Sequence, residues 1–276
     1  MYIIIDITNA EFGLMNTLKR KVKVGLGKAS NKIVEGLQTS AAAIMNIGSK
    51  ERGKRLMKSI DVDKIMPRDL PAGINPDKPV NMLIHGIGGG DHKGKHLLRE
   101  QASWFGDSEK QLGTNSIAHS PKSLRIKDVN KTSPLDFIKT GWNGTRKGGD
   151  EDAREIAENI IGWKKKHPNL KVNTVGHSLG GSIAERAGAV LDKKGYGDAV
   201  KTTTLGSPAS NLKRDKNFKA LAFDRDKTVS EGLSKTKKRR KEGVDVEVVK
   251  NKGSHSTYDV MQNPSILKKL KENMYA

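Results

Sequence analysis

The chain has 276 residues and no cysteine, and its 51 Lys+Arg against 31 Asp+Glu give a formal net charge of +20. Without cysteine there is neither a disulfide framework nor a thiol nucleophile, and no stretch approaches the roughly 18 apolar residues of a spanning helix. The length fits one α/β domain carrying an extension.

In chain order, residues 2–8 read as a strand. The start Met1-Tyr2-Ile3-Ile4-Ile5-Asp6 lacks a basic n-region, and its apolar core is too short for a signal peptide. The expectation is a cytoplasmic protein, or one exported without a signal peptide. Residues 14–60 scatter Leu18, Val22, Leu26, Ile33, Leu37 and Ile44 among basic side chains and read as one or two amphipathic helices. Pro67, Pro71, Pro76 and Pro79 then punctuate a linker. The division is a basic, partly helical extension over 1–77 and a domain over 78–276. Residues 80–85 form an apolar strand that runs into the turn Gly86-Ile87-Gly88-Gly89-Gly90. A helix follows at 94–104, and the Gly/Ser/Asn/Lys-rich stretch 105–150 is a candidate lid. A helix over 151–167 begins at Asp150-Glu151-Asp152 and stops at His167-Pro168, as dipole and proline rules expect. Beyond residue 172 come a strand, a helix over 182–191, strands at 200–205, 219–223 and 244–249, and a helix from Pro264. Strands alternating with helices predict a doubly wound, mostly parallel α/β sheet.

The informative decapeptide is Val172-Asn173-Thr174-Val175-Gly176-His177-Ser178-Leu179-Gly180-Gly181. Strand, sharp turn and helix are the setting in which G-x-S-x-G presents a nucleophilic serine, here Ser178. The glycines Gly176 and Gly180 leave room around a strained backbone. A serine hydroxyl needs an imidazole to take its proton. In the chain order Ser, acid, His that accompanies this turn, His255 is the only histidine C-terminal to Ser178. It sits in a Gly/Ser loop after the strand at 244–249. The acid is sought at the end of the run Ala220-Leu221-Ala222-Phe223, where Asp226 is favoured and Asp224 is the alternative. The oxyanion needs backbone donors. One is Leu179, and the glycine-rich turn after His85-Gly86 supplies the loop for another. That turn lacks the ending of a P-loop and the spacing of a dinucleotide turn. Nothing in this chemistry calls for a metal or a cofactor.

Taken together, His85-Gly86-Ile87, Gly176-His177-Ser178-Leu179-Gly180-Gly181, Thr204-Leu205-Gly206-Ser207-Pro208, the Asp226 segment and His255 resemble the α/β-hydrolase serine lipases and esterases. The likeness is to class 3 (fungal-type) lipases and to lipase domains of bacterial effectors, and it spans roughly 78–275. Trp142-Asn143-Gly144 resembles a tryptophan turn of some effector lipases. The resemblance implies that Ile87 donates the second oxyanion N–H and that the activity is carboxylic ester hydrolysis through a Ser-His-Asp triad. One departure is Lys227-Thr228 standing between Asp226 and Val229, where the family has Val soon after the acid.

Charge bears on the substrate. Basic residues concentrate in 14–60 and in Lys235-Thr236-Lys237-Lys238-Arg239-Arg240-Lys241. They suit an anionic membrane surface at about 1 kcal/mol per residue. Nucleic acid is the less favoured partner, because aromatic residues are only 4% and offer few stacking platforms. The expected substrate is a lipid ester, with phospholipid a reading from charge. A soluble ester or thioester, acyl transfer, or a non-catalytic basic binding protein are the competing classes.

Overall fold

A computed structural model describes residues 55–87, 112–113, 115–125, 134–207, 217–224, 245–250 and 262–275. The expected strand at 2–8, most of 14–60, the helix at 94–104, Asp226, the basic run 235–241 and His255 lie outside the described residues.

Six strands form one sheet: β1 (Val80–Ile84), β2 (Ser116–His119), β3 (Val172–His177), β4 (Val200–Leu205), β5 (Phe218–Phe223) and β6 (Asp245–Val249). Their order is β2-β1-β3-β4-β5-β6 and every pairing is parallel. The order reverses between β1 and β3, so the sheet is doubly wound with its switch point between those two strands. Four helices complete the framework: α1 (Pro134–Thr145), α2 (Lys147–Lys166), α3 (Leu179–Lys193) and α4 (Pro264–Tyr275). None of the helices among the described residues is long and apolar enough to cross a membrane.

Strand periodicity divides the core. Val80, Met82 and Ile84 of β1, with Val172 and Val200, meet Ile156, Ile160, Ile183 and Val190 of α2 and α3 on one face. The alternate residues Leu83, Val175, Leu205, Leu221 and Phe223 meet Ile266, Leu267, Leu270 and Met274 of α4 on the other. Helix α2 buries Ala153, Ile156, Ala157, Ile160 and Ile161, the i, i+3, i+4 spacing of a core-facing stripe. Both faces being covered, β1 and β3 are buried at every position, and their polar side chains need partners in the sheet. Register supplies them. Asn173 donates to its pair mate Asn81 at 3.0 Å, and Thr174 and Thr202, also pair mates, share a 2.6 Å bond.

Residues 105–150, the candidate lid, lie partly outside the described residues. Their described parts are the edge strand β2, a turn at Lys122–Leu124, and α1 running almost directly into α2, with Arg146 alone between them. The helix expected from 151 therefore begins at Lys147. Glycines that read as loop composition are here a consequence of close packing. A Cβ on Gly144 would come 2.2 Å from Leu124 Cδ2, and one on Gly149 would overlap the Gly144 carbonyl oxygen. Trp142-Asn143-Gly144 likewise lies within α1 rather than in a turn. The proline-punctuated segment also has a definite place. Leu56, Ile60 and Ile65 are buried in the same core, the Arg68 amide donates to the Gly162 carbonyl at 3.0 Å, and Lys165 Nζ donates to the Val62 and Ile65 carbonyls at 2.6 and 2.8 Å. It is strapped to the back of α2.

The turn at 122–124 hangs on one buried carboxylate. Asp152 of α2 accepts from the Lys122 amide at 2.8 Å, from the Ser123 amide at 3.0 Å, and from the Ser123 hydroxyl. Removing that acceptor strands buried donors, which costs more than the bonds are worth in net terms. Asp152→Ala is expected to destabilise the fold by about 2–5 kcal/mol, whereas Glu155→Ala, which frees only the exposed Lys122 ion pair, should cost less than about 1 kcal/mol. Urea denaturation of the two variants checks the contrast.

Candidate active site

Ligands of open α/β sheets bind beyond the carboxyl ends of the strands at the switch point. Here β3 ends at that point, and the next residue is Ser178. Its backbone has φ +53 and ψ −130, and it is the one non-glycine with positive φ among the described residues. Such a conformation costs of order 1–3 kcal/mol and persists only when its surroundings enforce it. The enforcement is close approach. A Cβ on Gly176 would fall 2.5 Å from Gly181 Cα, and one on Gly180 would fall 2.2 Å from the His85 carbonyl oxygen. The Ser178 amide is tied to the Leu205 carbonyl of β4 at 3.0 Å, and the Gly181 amide returns to the Ser178 carbonyl at 3.0 Å. Ser207, in the Thr-Leu-Gly-Ser-Pro turn, packs on the same point, 2.6 Å from where a Gly181 Cβ would stand. Leu179 opens α3, so its N–H belongs to the helix-start donors that have no acceptor within the helix.

The loop after β1 lies against this serine. A Cβ on Gly86 would sit 2.8 Å from Ser178 Cβ and 3.4 Å from Ser178 Oγ. The ring of His85, only 3% exposed, fixes that loop. Its Nδ1 is 2.6 Å from the Gly86 carbonyl and its Nε2 is 3.0 Å from Ser120 Oγ. A carbonyl only accepts, so Nδ1 carries the proton and Ser120 Oγ donates to Nε2. In a trans peptide the N–H points opposite the carbonyl, so the Ile87 N–H faces away from the His85 ring. Burial pushes the His85 pKa down to about 4, against the opposing pull of the Gly86 bond. A ring so weakly basic is a poor general base. The Ser120–His85 pair thus looks like a nucleophile and base in contact, yet its chemistry is that of a brace. His119, beside it at the end of β2, is also pushed down by burial, with Glu155 and Asp152 opposing.

The sequence-predicted residues are thus partly assembled. Ser178, Leu179, Gly86 and Ile87 share one corner, and Gly176, Gly180 and His85 build it. Asp224 stands at the carboxyl end of β5, half-buried, its amide bonded to the Val249 carbonyl at 2.9 Å. Asp226 and His255 fall outside the described residues. Sequence reasoning missed Ser120, whose only signal is its place one residue past β2. It also missed Gly141 of α1, whose Cβ position is 3.0 Å from Ile87 Cδ1 and 3.8 Å from Leu179 Cδ1. Among the described residues no cluster of His, Cys, Asp and Glu could hold a metal ion.

Comparison with known proteins finds a family match over part of the chain. Residues 138–231 match the profile of the family described as lipase (class 3). No curated protein matches the chain. Among solved structures, an α/β serine hydrolase without a lid from Xanthomonas campestris aligns at 13% identity with a TM-score of 0.45, over 75% of this chain and 85% of that one. A fungal esterase from Rhizomucor miehei aligns at 12% identity and TM-score 0.45, over 86% and 94%. Est1E of Butyrivibrio proteoclasticus, solved with ferulic acid bound, aligns at 15% identity and TM-score 0.45, over 75% and 92%.

Two outcomes follow from the geometry. A methyl at residue 86 presses on the serine side chain, so Gly86→Ala should lower kcat on an activated ester by about 100-fold, the scale of a misplacement near 1 Å, while circular dichroism stays native. The second concerns pH. The unfolded His85 ring titrates near 6.5 and the folded ring near 4, so the unfolded chain binds more protons between these values. The stability gained by keeping the ring neutral is whole above about pH 6.5 and is lost as pH falls toward 4. Unfolding free energy should drop by on the order of 3 kcal/mol through this group across that window, and His85→Asn should flatten the slope in urea titrations.

Proposed function

We propose that this chain, an α/β-hydrolase of the lipase/esterase type by its sheet, its serine turn and its class 3 lipase match, cleaves lipid esters at anionic membranes. Ser178 Oγ attacks the ester carbonyl while His255 takes its proton, with Asp226 fixing the imidazole tautomer. The tetrahedral oxyanion is held by the amides of Leu179 and Ile87. Collapse breaks the ester C–O bond, and the alcohol leaves with the proton from His255. Water then attacks the acyl-enzyme, His255 takes its proton and returns it to Ser178 Oγ, and the carboxylic acid departs. Asp224 is the alternative acid, since it stands where β5 delivers a carboxylate to the same edge of the sheet.

One observation carries the reading. A strained serine at the switch point has a glycine backbone packed against its side chain and the start of a helix behind it. Strain of this kind persists where function needs it, and the helix start favours developing negative charge. The roles of His255 and Asp226 rest on chain order, and the membrane target rests on the basic segments 14–60 and 235–241.

A fluorophosphonate should label the wild-type protein at one serine, and Ser178→Ala should abolish both labelling and ester hydrolysis. A folded wild type that resists the reagent sinks the reading in favour of a non-catalytic basic binding protein. Vesicles rich in phosphatidylglycerol should be hydrolysed faster than phosphatidylcholine vesicles, with the difference shrinking as salt screens the surface. Equal rates on monomeric short-chain esters and on micelles would instead assign a soluble ester as substrate.

A further inference from the structure

Helix α1 approaches the corner of the site at Gly141. Gly141 is buried, and the position its Cβ would take lies 3.0 Å from Ile87 Cδ1 and 3.8 Å from Leu179 Cδ1. These side chains belong to the two residues whose amides are assigned the oxyanion, one in the loop after β1 and the other at the start of α3. One backbone point on α1 therefore backs both.

What holds α1 at that distance is a buried arginine. Arg186 is only 6% exposed and lies on α3, two turns beyond Ser178. Its Nη2 donates to the Gly144 carbonyl at 2.9 Å, one turn along α1 from Gly141. Its Nη1 meets Asp150 Oδ1 of α2 at 2.7 Å and the Arg146 carbonyl at 3.4 Å. Its Nε returns to the Ser182 carbonyl at 3.3 Å, and Ser182 is one turn from Ser178. The planar fork of a guanidinium fixes directions as well as distance, which an ammonium does not. A charge taken out of water needs such a complete set of partners. The guanidinium thus ties the nucleophile's own helix to the end of α1 and the start of α2.

We infer that Gly141 and Arg186 are positioning residues of the oxyanion hole. Gly141 is the surface against which Ile87 and Leu179 rest, and Arg186 sets how far that surface stands from Ser178. The inference rests on the assignment of Leu179 and Ile87 as oxyanion donors. It makes a glycine in mid-helix, unfavourable by propensity, a requirement of the site.

The test is Gly141→Ala with its partner truncation Ile87→Val. The added methyl meets the far end of a flexible side chain, so the fold survives, but Ile87 must shift by a few tenths of an ångström. Gly141→Ala should lower kcat about tenfold with KM and Tm nearly unchanged. Ile87→Val removes the Cδ1 that the methyl would meet, so the double variant should recover the kcat of Ile87→Val alone. Arg186→Lys should lower kcat at temperatures well below its own Tm. A merely structural role would move Tm and leave the kcat of folded protein intact. A wild type that takes the fluorophosphonate and turns over ester, while Gly141→Ala matches it in kcat or the double variant shows no recovery, overturns this inference alone. A wild type that does not take the reagent overturns the ester-hydrolase reading first, and this one with it.

Discussion

The distance between the end of β3 and the start of α3 governs the site. Backbone at Gly176 and Gly181 comes nearly into contact, and Gly180 sits on the His85 carbonyl. No side chain fits at these positions, so the helix can follow the strand without a connecting loop. The residue between them has no alternative but φ +53. Its side chain is thereby lifted above the sheet edge, while its amide remains bonded to β4. The strain at Ser178 is not an isolated oddity that the fold tolerates. It follows from a packing geometry which buried β1, β3 and α3 all share.

A site with several histidines must also decide which of them titrates. Near the serine the fold spends His85 as a neutral brace, its proton committed to the Gly86 carbonyl and its other nitrogen to Ser120. Burial that makes this ring useless as a base makes it reliable as a strut, because its protonation state stays fixed above about pH 5. A general base for the serine is therefore sought among rings other than His85.

The sequence displays those features whose chemistry demands particular residues at fixed offsets. The serine turn is legible because glycine is required at two or three known positions, and the buried strand β1 because Asn81 alone interrupts the apolar run Val80–Ile84. Strand β2 is hard to see. Ser116–His119 is four residues long, lies on the sheet edge and is only half-buried, so it has no apolar run. Helix α1 is hidden by composition, since Gly141 and Gly144 signal a loop in sequence and close packing in space. Asp152 looks like one more acid at a helix start, where the dipole welcomes it. Its tie to a turn 29 residues earlier depends on tertiary contact alone. Arg186 reads, beside Glu185, as a polar residue on a largely apolar helix, and nothing local announces three helices converging on its guanidinium.

Part of the excess positive charge has a structural account that changes how the rest is read. Several basic side chains are directed at backbone carbonyls rather than carboxylates. Lys165 binds the Val62 and Ile65 carbonyls, Lys164 those of Pro168 and Leu170, and Lys171 that of Asp198. Lysines 164 and 165 lie in the last turn of α2, where the dipole favours a cation and terminal carbonyls want donors. These cations need no acidic partner in the chain, so a surplus over Asp and Glu is built into the way the domain is tied together. They are therefore no argument for an anionic ligand. That argument falls to the segments 14–60 and 235–241, where basic residues are dense in the sequence, and the vesicle comparison acts on those segments rather than on the domain's own charge.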